Sequence, residues 1–359
     1  MEQTTDAMKL TGWLAWTWLK SKMGVQNRSD AIEQASHYLS RWHPAAAKYL
    51  QCGITQIPGL TPEESDISRS ALDKVPWDPC DVPSQSLQQL RELASRAGRR
   101  LSGIVTDHEP DRAGLVCLVY FCRLDDNEVA IKVLRNDIQR RLQKSMATTC
   151  MLLRACSRLS PLLSKQEVDT YLEYNGPLTI GQADLKNELK NHVSLSQSMK
   201  ALEWVRIPIL YQELCGDEYI VMEKVSGLSL TDVPEKDKLT YAELLSKLII
   251  HMWVVTGHYH SDLHPGNILF GSINGKPTLT LLDFGITGAL ASGEIDLFCS
   301  FATSFCLPAG PKRVEAFAKA LVVVCQPGAG KATSSRDDFR SAMQDLASDI
   351  MGNNGDSHF

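Results

Sequence analysis

Two polar motifs separated by two short apolar runs constrain this chain more than any other feature. The first motif is Asp262 followed five residues later by Asn267, and the second is Asp283-Phe284-Gly285. Between them, residues 268–270 and 279–282 are apolar and flank a turn. This pattern predicts a β-hairpin with polar groups at both ends. Asp-Phe-Gly alone would also fit a turn after a buried strand, but the spacing of the two motifs argues against that alternative.

The residue types in these motifs suit a site for a nucleotide triphosphate and a divalent metal. Asp283 and Asn267 offer hard oxygen ligands of the kind that Mg²⁺ binds. Asp262 is predicted to orient a hydroxyl group or a water, or to accept its proton. His260, Asp262 and His264 also alternate, but a separate metal site is disfavoured because a Pro-Gly pair interrupts any strand there.

A lysine in an apolar strand points to the same chemistry. Residues 114–123 and 128–134 predict a hairpin, and Lys132 lies in its second strand. Such a lysine either extends to solvent at a sheet edge or binds phosphates, and the downstream motifs favour phosphates. Glu188, on a helix predicted from 183 to 199, is the candidate partner of Lys132, with an exposed helix-face Glu as the alternative. The backbone near Glu223 is the predicted adenine-binding hinge, after a hairpin predicted over 206–214 and 218–223.

Composition excludes several classes of protein. The 359 residues are 43% hydrophobic and 22% charged, which predicts a globular chain. A net charge of −5 gives no basic field for nucleic acid. Ten cysteines without a CxxC pair, and no secretory signal, favour an intracellular reducing compartment.

Residues 8–23 combine tryptophans, leucines and flanking lysines. They are too few to span a bilayer, which needs about 20 apolar residues. They suit either a helix packed on the protein body or a peripheral membrane contact, and the first reading is favoured. Glu2 and Asp6 argue against a mitochondrial presequence.

Helix signals dominate the rest of the N-terminal third and the C-terminal quarter. Ser29-Asp30 is the expected cap of the first helix, and Thr61-Pro62 of a third. The predicted helices are 31–42, 45–52, 61–74, 84–97, 241–256, 292–305, 314–325 and 338–351. Residues 326–337 are predicted to form a Gly/Ser-rich linker.

The segment expected to cover the phosphates lacks the usual glycines. No G-x-G-x-x-G precedes Lys132, so a short turn at Ala113-Gly114 is left for this role. Gly328-Ala329-Gly330-Lys331 is not a P-loop, because Cys325 stands where its leading glycine is needed.

Taken together, these motifs resemble those of the UbiB/ADCK family of atypical kinases. The most specific is His260-Ser261-Asp262-Leu263-His264-Pro265-Gly266-Asn267, close to the family's His-Ala-Asp-x-His-Pro-Gly-Asn. Further matches are Val129–Val133, Glu188–Asn191, Ile207-Pro208 with Tyr211, and Met222-Glu223. Upstream, Lys48-Tyr49-Leu50-Gln51 occupies the place of the family's Lys-x-Gly-Gln. The resemblance covers roughly residues 45–307.

Three departures from the family pattern concern its regulatory extension and its nucleotide loop. Leu50 replaces the glycine of Lys-x-Gly-Gln, the family's alanine-rich loop is reduced to residues 112–115, and Glu-x-Asp becomes Gln182-Ala183-Asp184. The change to Gln182 removes a charge that would pair with Lys48. In the family this extension, here carrying Lys48, Gln51, Gln182 and Asp184, covers the protein-substrate site and favours ATPase or small-molecule activity.

The resemblance implies an α+β, two-lobed protein-kinase-like fold with an N-terminal helical extension. The expected domains are the extension, 1–100, an N-lobe, 101–225, and a C-lobe with a short tail, 226–359. It further implies Mg²⁺-dependent ATP hydrolysis, or phosphoryl transfer to a non-protein acceptor, with a lipid or quinone-precursor ligand and a link to mitochondria. Two alternatives stay open, a pseudokinase-like nucleotide-binding module and a true protein kinase, although no Ala-Pro-Glu segment follows Gly285.

Overall fold

The fold is given by a computed structural model of the whole chain. The residues it describes are 27–53, 75–103, 109–159, 165–291 and 310–324, with short pieces at 16–25, 61–68 and 293–308. Most of the tryptophan-rich stretch 8–23 and the predicted helix 338–351 lie outside the described residues, as does much of the predicted helices 61–74 and 292–305. No described helix is both long and apolar enough to cross a membrane.

The chain is an α+β protein in which helices flank several short sheets. The α-helices are α1 Arg28–Trp42, α2 Pro44–Gly53, α3 Ser84–Arg96, α4 Ile138–Leu159, α5 Lys165–Gly181, α6 Leu185–Met199, α7 Glu235–Ile250 and α8 Pro311–Val324. The strands are β1 Leu101–Ser102, β2 Arg112–Ala113, β3 Cys117–Leu124, β4 Asn127–Leu134, β5 Val205–Arg206, β6 Tyr219–Glu223, β7 His258–His260, β8 Ile268–Ile273, β9 Lys276–Leu281 and β10 Thr287–Ala289.

A five-stranded antiparallel sheet organises the first lobe. It runs β1-β3-β4-β6, and β2 pairs with the other end of β3. Successive strand residues face opposite sides, so Val129, Ile131 and Val133 of β4 pack with α3 in one core cluster. The other face of β4 carries Ala130, Lys132 and Leu134. This alternation turns Lys132 toward the cleft and away from the α3 core.

The second lobe is built on the predicted hairpin. β8 pairs with β9 in antiparallel register, Ile268 opposite Leu281, and β10 pairs with β7. Leu279 and Leu281 are fully buried beside Phe284 and helix α7. Helix α6 joins the two lobes, because Leu185 packs in the core beneath β4 while its later turns pack in this second core.

Two predicted elements differ from the observed ones. The predicted hairpin over 206–223 is wrong in its first strand, since β5 pairs in parallel with β9, and only an isolated bridge from Leu210 to Met222 reaches β6. The predicted helix 241–256 begins earlier, at Glu235, and ends as a π-helix over His251–Thr256.

Helix starts depend on specific caps. Asn27, and not Ser29-Asp30, caps α1, accepting hydrogen bonds from the N–H groups of Ser29 at 2.6 Å and Asp30 at 3.3 Å. Asp184 caps α6 through the Asn187 N–H at 3.1 Å. The predicted cap at Thr61 is present, where Thr61 and Glu64 bond each other's N–H groups. The domain boundaries at 100/101 and 225/226 stay predictions.

Candidate active site

A cleft of about 890 Å³ lies between the two lobes. Its walls come from the turn after β2, the inner face of β4, the β6 end and the segment around the Asp-Phe-Gly motif. The predicted site residues that line it are Lys48, Ala113, Gly114, Lys132, Gln182, Glu188, Glu223, Asp262, Asn267 and Asp283. The sequence therefore identified residues that the fold brings to one place.

Lys132 is held by two carboxylates at the back of this cleft. Its Nζ lies 2.6 and 2.8 Å from the two oxygens of Glu188 and 2.8 Å from Asp283 Oδ2. Burial acts to lower the pKa of Lys132, but the nearby charges of Asp283 and Glu188 outweigh it and raise that pKa well above its usual value. The ammonium group is therefore charged.

The two carboxylates differ in their surroundings. Burial acts to raise the pKa of Asp283, yet Lys132 and the Gly285 N–H, 2.8 Å from Oδ1, lower it overall. Glu188 is only 2% exposed, and burial raises its pKa despite the same lysine. Asp283 is thus the carboxylate that stays ionised and can ligate a cation.

The catalytic-loop motif is joined to Asp-Phe-Gly by His260, for which sequence reasoning had no role. Its Nδ1 accepts a hydrogen bond from the Asp262 N–H at 3.1 Å, so Nε2 carries the proton and donates to the Asp283 carbonyl. Burial lowers the pKa of His260 and favours this neutral ring. The signal available in the sequence was its position as the first residue of the motif that runs to Asn267.

Asn267 is placed to offer its amide oxygen to the cleft. Its Nδ2 donates to the Asp262 carbonyl at 3.0 Å, and its own carbonyl accepts from the Leu282 N–H at 3.0 Å. Asn267 and Asp283 both line the cleft, so their side-chain oxygens could serve together as hard ligands. Such a pair fits Mg²⁺, which uses one or two protein oxygens together with substrate phosphates.

Asp262 forms an ion pair with the N-terminal extension. Lys48 Nζ, on α2, lies 3.0 Å from Asp262 Oδ2, with side chains 14% and 23% exposed. Lys48 thus reaches the motif residue predicted to act as base, while Gln182 lines the cleft nearby. Gln51 lies on α2 as well, but its side chain is outside the described residues.

The hinge and the turn after β2 complete the cleft. The Glu223 carboxylate pairs with Arg206 and accepts a hydrogen bond from the Ile209 N–H at 3.3 Å, while the Glu223 N–H donates to the Ile209 carbonyl at 2.8 Å. The turn is closed by the Gly114 N–H donating to the Cys117 carbonyl at 2.9 Å. It is a tight hairpin turn in place of a long glycine-rich cover.

Asn191 is a second residue whose role the sequence did not reveal. It lies one helical turn after Glu188 on α6, and its Nδ2 donates to the Phe284 carbonyl at 3.0 Å. Residues three apart on a helix share a face, so α6 directs both side chains toward the Asp-Phe-Gly segment. The three-residue spacing of Glu188 and Asn191 was the signal in the sequence that could have revealed this role.

The lobes, the central cleft and the lysine shared by a helix glutamate and the Asp of Asp-Phe-Gly define a protein-kinase-like fold. A family model described as "ABC1 atypical kinase-like domain" matches residues 107–312, more than half of the chain. The chain belongs to this family, the UbiB/ADCK atypical kinases.

Curated relatives agree with this assignment, and a solved structure agrees with the fold. A "Probable protein kinase UbiB" from Pseudomonas putida strain F1 is 26% identical over 354 residues, covering 90% of this chain and 64% of the relative. One from Aeromonas hydrophila is 24% identical over 76% of this chain and 50% of the relative. The chain thus spans less than two thirds of these relatives' length. A structure titled as the Rv3197-erythromycin complex from Mycobacterium tuberculosis, 18% identical, covers 89% of this chain and 79% of that one with a TM-score of 0.51, and supports the fold.

Proposed function

We propose that the cleft binds ATP with Mg²⁺ and that the chain hydrolyses ATP or transfers its terminal phosphoryl group to a small, non-protein acceptor. The observation that carries this proposal is the cluster of Lys132, Glu188 and Asp283, with all three Nζ–O distances between 2.6 and 2.8 Å. A charged lysine fixed by a buried glutamate is the arrangement that phosphoryl transfer needs for holding α- and β-phosphate oxygens.

The predicted site residues that line the cleft each have a role in this proposal. Lys132 binds the phosphates and Glu188 fixes its position, while Asn267 and Asp283 hold the metal. Bound Mg²⁺ would neutralise charge on the transferring group. Asp262 orients the acceptor hydroxyl or water, or takes its proton. Ala113 and Gly114 lie over the phosphates, and the backbone at Glu223 faces the adenine edge.

The acceptor class is inferred from the extension and from the relatives. Lys48 stands against Asp262, so a protein substrate would have to displace it, whereas water or a small molecule needs less space. The UbiB relatives and the family resemblance support a role in quinone or isoprenoid-lipid metabolism, with a lipid or quinone-precursor ligand and a peripheral membrane contact through residues 8–23. Lys48, Gln51, Gln182 and Asp184 would belong to this regulatory cover.

The test is Mg²⁺-dependent ATP turnover by purified protein, with and without phospholipid or a quinone-precursor mimic. Asp283→Asn keeps the size of the side chain but removes the ionised ligand, and we expect turnover to fall about 100-fold or more, the scale of loss when charge stabilisation in phosphoryl transfer is removed. Asp126→Asn, on an exposed turn, is the matched control and should leave turnover unchanged.

A second candidate is a nucleotide-binding regulatory module without turnover. The ion pair between Lys48 and Asp262 favours it, because the predicted base is already engaged. Nucleotide binding without turnover under every condition would select this candidate, and equal turnover by Asp283→Asn and Asp126→Asn would refute the metal role of Asp283.

A further inference from the structure

A cluster of five buried or half-buried charges joins the N-terminal extension to the first lobe, outside the cleft. Asp81, in a single turn before α3, has a side chain only 2% exposed. Its carboxylate accepts hydrogen bonds from Arg41 of α1, Arg141 of α4 and Arg135 after β4, each at 2.7 Å. Arg41 also pairs with Asp78 at 2.5 Å. Three arginines from three elements thus converge on one buried carboxylate.

Arg135 continues from this cluster to the turn above the cleft. Its side chain is 1% exposed, and its Nε donates to the Gly114 carbonyl at 2.9 Å. Its backbone N–H donates to the Val116 carbonyl at 2.9 Å. Two carbonyls of the turn at 114–116 are therefore fixed by one residue, whose Nη1 is bonded to Asp81 and to the Pro76 carbonyl.

The guanidinium group explains why this residue can join the two sites. It is planar and its N–H groups point in fixed directions, so an Nη1 bonded to Asp81 sets the direction of the Nε–H bond to Gly114. The remaining Nη2 is buried and has no hydrogen-bond partner among the described residues. Among the described residues, Asp81 is the one carboxylate hydrogen-bonded to Arg135, whose other side-chain acceptors are the neutral carbonyls of Pro76 and Gly114.

We propose that Arg135 is a positioning residue that makes the conformation of the turn at 112–118 depend on docking of the extension at Asp81. Neither Arg135 nor Asp81 lines the cleft, whereas Ala113 and Gly114 do. Arg135 holds the turn from the side opposite to the cleft, so loss of the contact between the extension and Arg135 would make the turn more mobile. That the turn binds ATP rests on the proposed function. The coupling between docking of the extension and the conformation of the turn does not depend on it.

The experiment is hydrogen–deuterium exchange of the ligand-free protein, comparing wild type with Asp81→Asn. We expect exchange across 112–118 to accelerate by about tenfold, the loss expected when a charged hydrogen-bond partner is removed. Exchange in α6 should stay unchanged. Arg135→Lys keeps the charge but cannot bond both Asp81 and Gly114, so it should accelerate the same turn, and the double variant should add nothing further.

The matched control is Arg99→Gln. Arg99 also joins the extension to the first lobe, through Asp125 at 2.5 Å and Glu213 at 3.1 Å, but Asp125 follows the end of β3 opposite to the turn at 112–118. It should leave exchange at 112–118 unchanged. If Asp81→Asn does not fold, Arg41→Gln weakens the same cluster while leaving Asp81 with Arg135, and a smaller acceleration is expected.

Equal exchange at 112–118 in wild type and Asp81→Asn, or a uniform acceleration over the whole chain, would overturn the proposal. Affinity for ADP with Mg²⁺ is the second measurement, and it should weaken in Asp81→Asn but not in Arg99→Gln. A wild type that turns over no ATP would refute the proposed function, while the exchange experiment would still decide the coupling.

Discussion

Lys132 is a single cation between two carboxylates, which makes it a structural residue as well as a candidate phosphate ligand. Replacing it would leave Glu188 and Asp283 facing each other without a positive charge, and breaking a buried ion pair in this way costs about 3–5 kcal/mol. Loss of activity in a Lys132 variant would therefore mix folding with chemistry. Asp283→Asn is the cleaner test, because Lys132 keeps its pair with Glu188.

His192 makes the stability of the fold depend on pH. Its Nε2 donates to the Pro208 carbonyl at 2.8 Å, and its ring lies 4.1 Å from the Phe284 ring between centroids. Burial lowers the pKa of His192 to about 4, although the bond to Pro208 opposes this. The neutral ring therefore stabilises the fold fully above the unfolded-state pKa of about 6.5, and this contribution is lost as pH falls toward 4.

We expect acid to destabilise wild type more than His192→Gln, whose amide can still donate to Pro208 but does not titrate. Between pH 7.5 and pH 5.0 the wild type should lose about 2 kcal/mol more free energy of unfolding than the variant, from the difference between the two pKa values. Urea unfolding at both pH values measures it. Parallel losses in the two proteins would show that His192 titrates normally in the folded state.

At the scale of elements, the hinge after β6 rests directly on strand β8. Leu228 and Phe270 exchange backbone hydrogen bonds of 2.7 and 2.9 Å. A Cβ atom at Gly227 would lie 2.8 Å from the Leu269 Cβ and 3.1 Å from the Phe270 carbonyl oxygen. Leu269 and Gly227 both line the cleft. The absence of a side chain at Gly227 therefore allows the hinge to approach the second lobe.

Gly227→Ala should separate these two segments. We expect a loss of about 1–3 kcal/mol in stability, the usual cost of forcing an extra carbon into a packed contact, together with weaker nucleotide binding. The control is Gly271→Ala on strand β8, where the nearest atom to the new Cβ is Thr278 Oγ1 at 3.7 Å. Thermal unfolding and nucleotide titration of both variants test this, and equal effects would rule out the close contact as the cause.

The elements that the sequence predicted well are those with a strong local signal. The hairpin of β8 and β9 and the strand carrying Lys132 have alternating or apolar runs bounded by turns, and both were predicted at nearly the observed positions. The pairing of β5 with β9 was missed because a two-residue strand has no periodicity and its partner lies far along the chain. Helices α4 and α5 were not predicted at all.

In the cleft, too, residues with a strong local sequence signal were predicted and residues defined by distant contacts were not. The residues with a motif around them, such as Lys132, Asp262 and Asp283, were found from spacing. His260, Asn191 and Arg135 act through backbone carbonyls of distant segments, and nothing in local sequence states which carbonyl a side chain will reach. The ion pair of Lys48 with Asp262 spans 214 positions and needed the folded chain to appear.

For the molecule as a whole, two of the ion-pair contacts between the extension and the kinase-like body lie next to parts of the candidate site. Asp81 pairs with Arg135 and Arg141 of the first lobe, and Lys48 pairs with Asp262 of the second. Helix α6 joins the cores of both lobes from within. Movement of the extension would therefore change both the turn at 112–118 and the surroundings of Asp262, the predicted base.

The contact of Lys48 with Asp262 can be tested separately from the contact at Asp81. Lys48→Met keeps the length and apolar stem of the side chain but removes the ion pair, which frees the Asp262 oxygen now 3.0 Å from Nζ. We expect ATP turnover to rise about two- to tenfold, because Asp262 would no longer have to leave its ion pair before it acts. A lowering of the activation free energy by about 1.4 kcal/mol corresponds to about tenfold in rate. Lys186→Met removes the exposed pair with Asp217 and should change nothing, because exposed pairs contribute little. A fall in turnover confined to Lys48→Met would instead make Lys48 a ligand of the reacting phosphate, and the extension would then be part of the active site and not its cover.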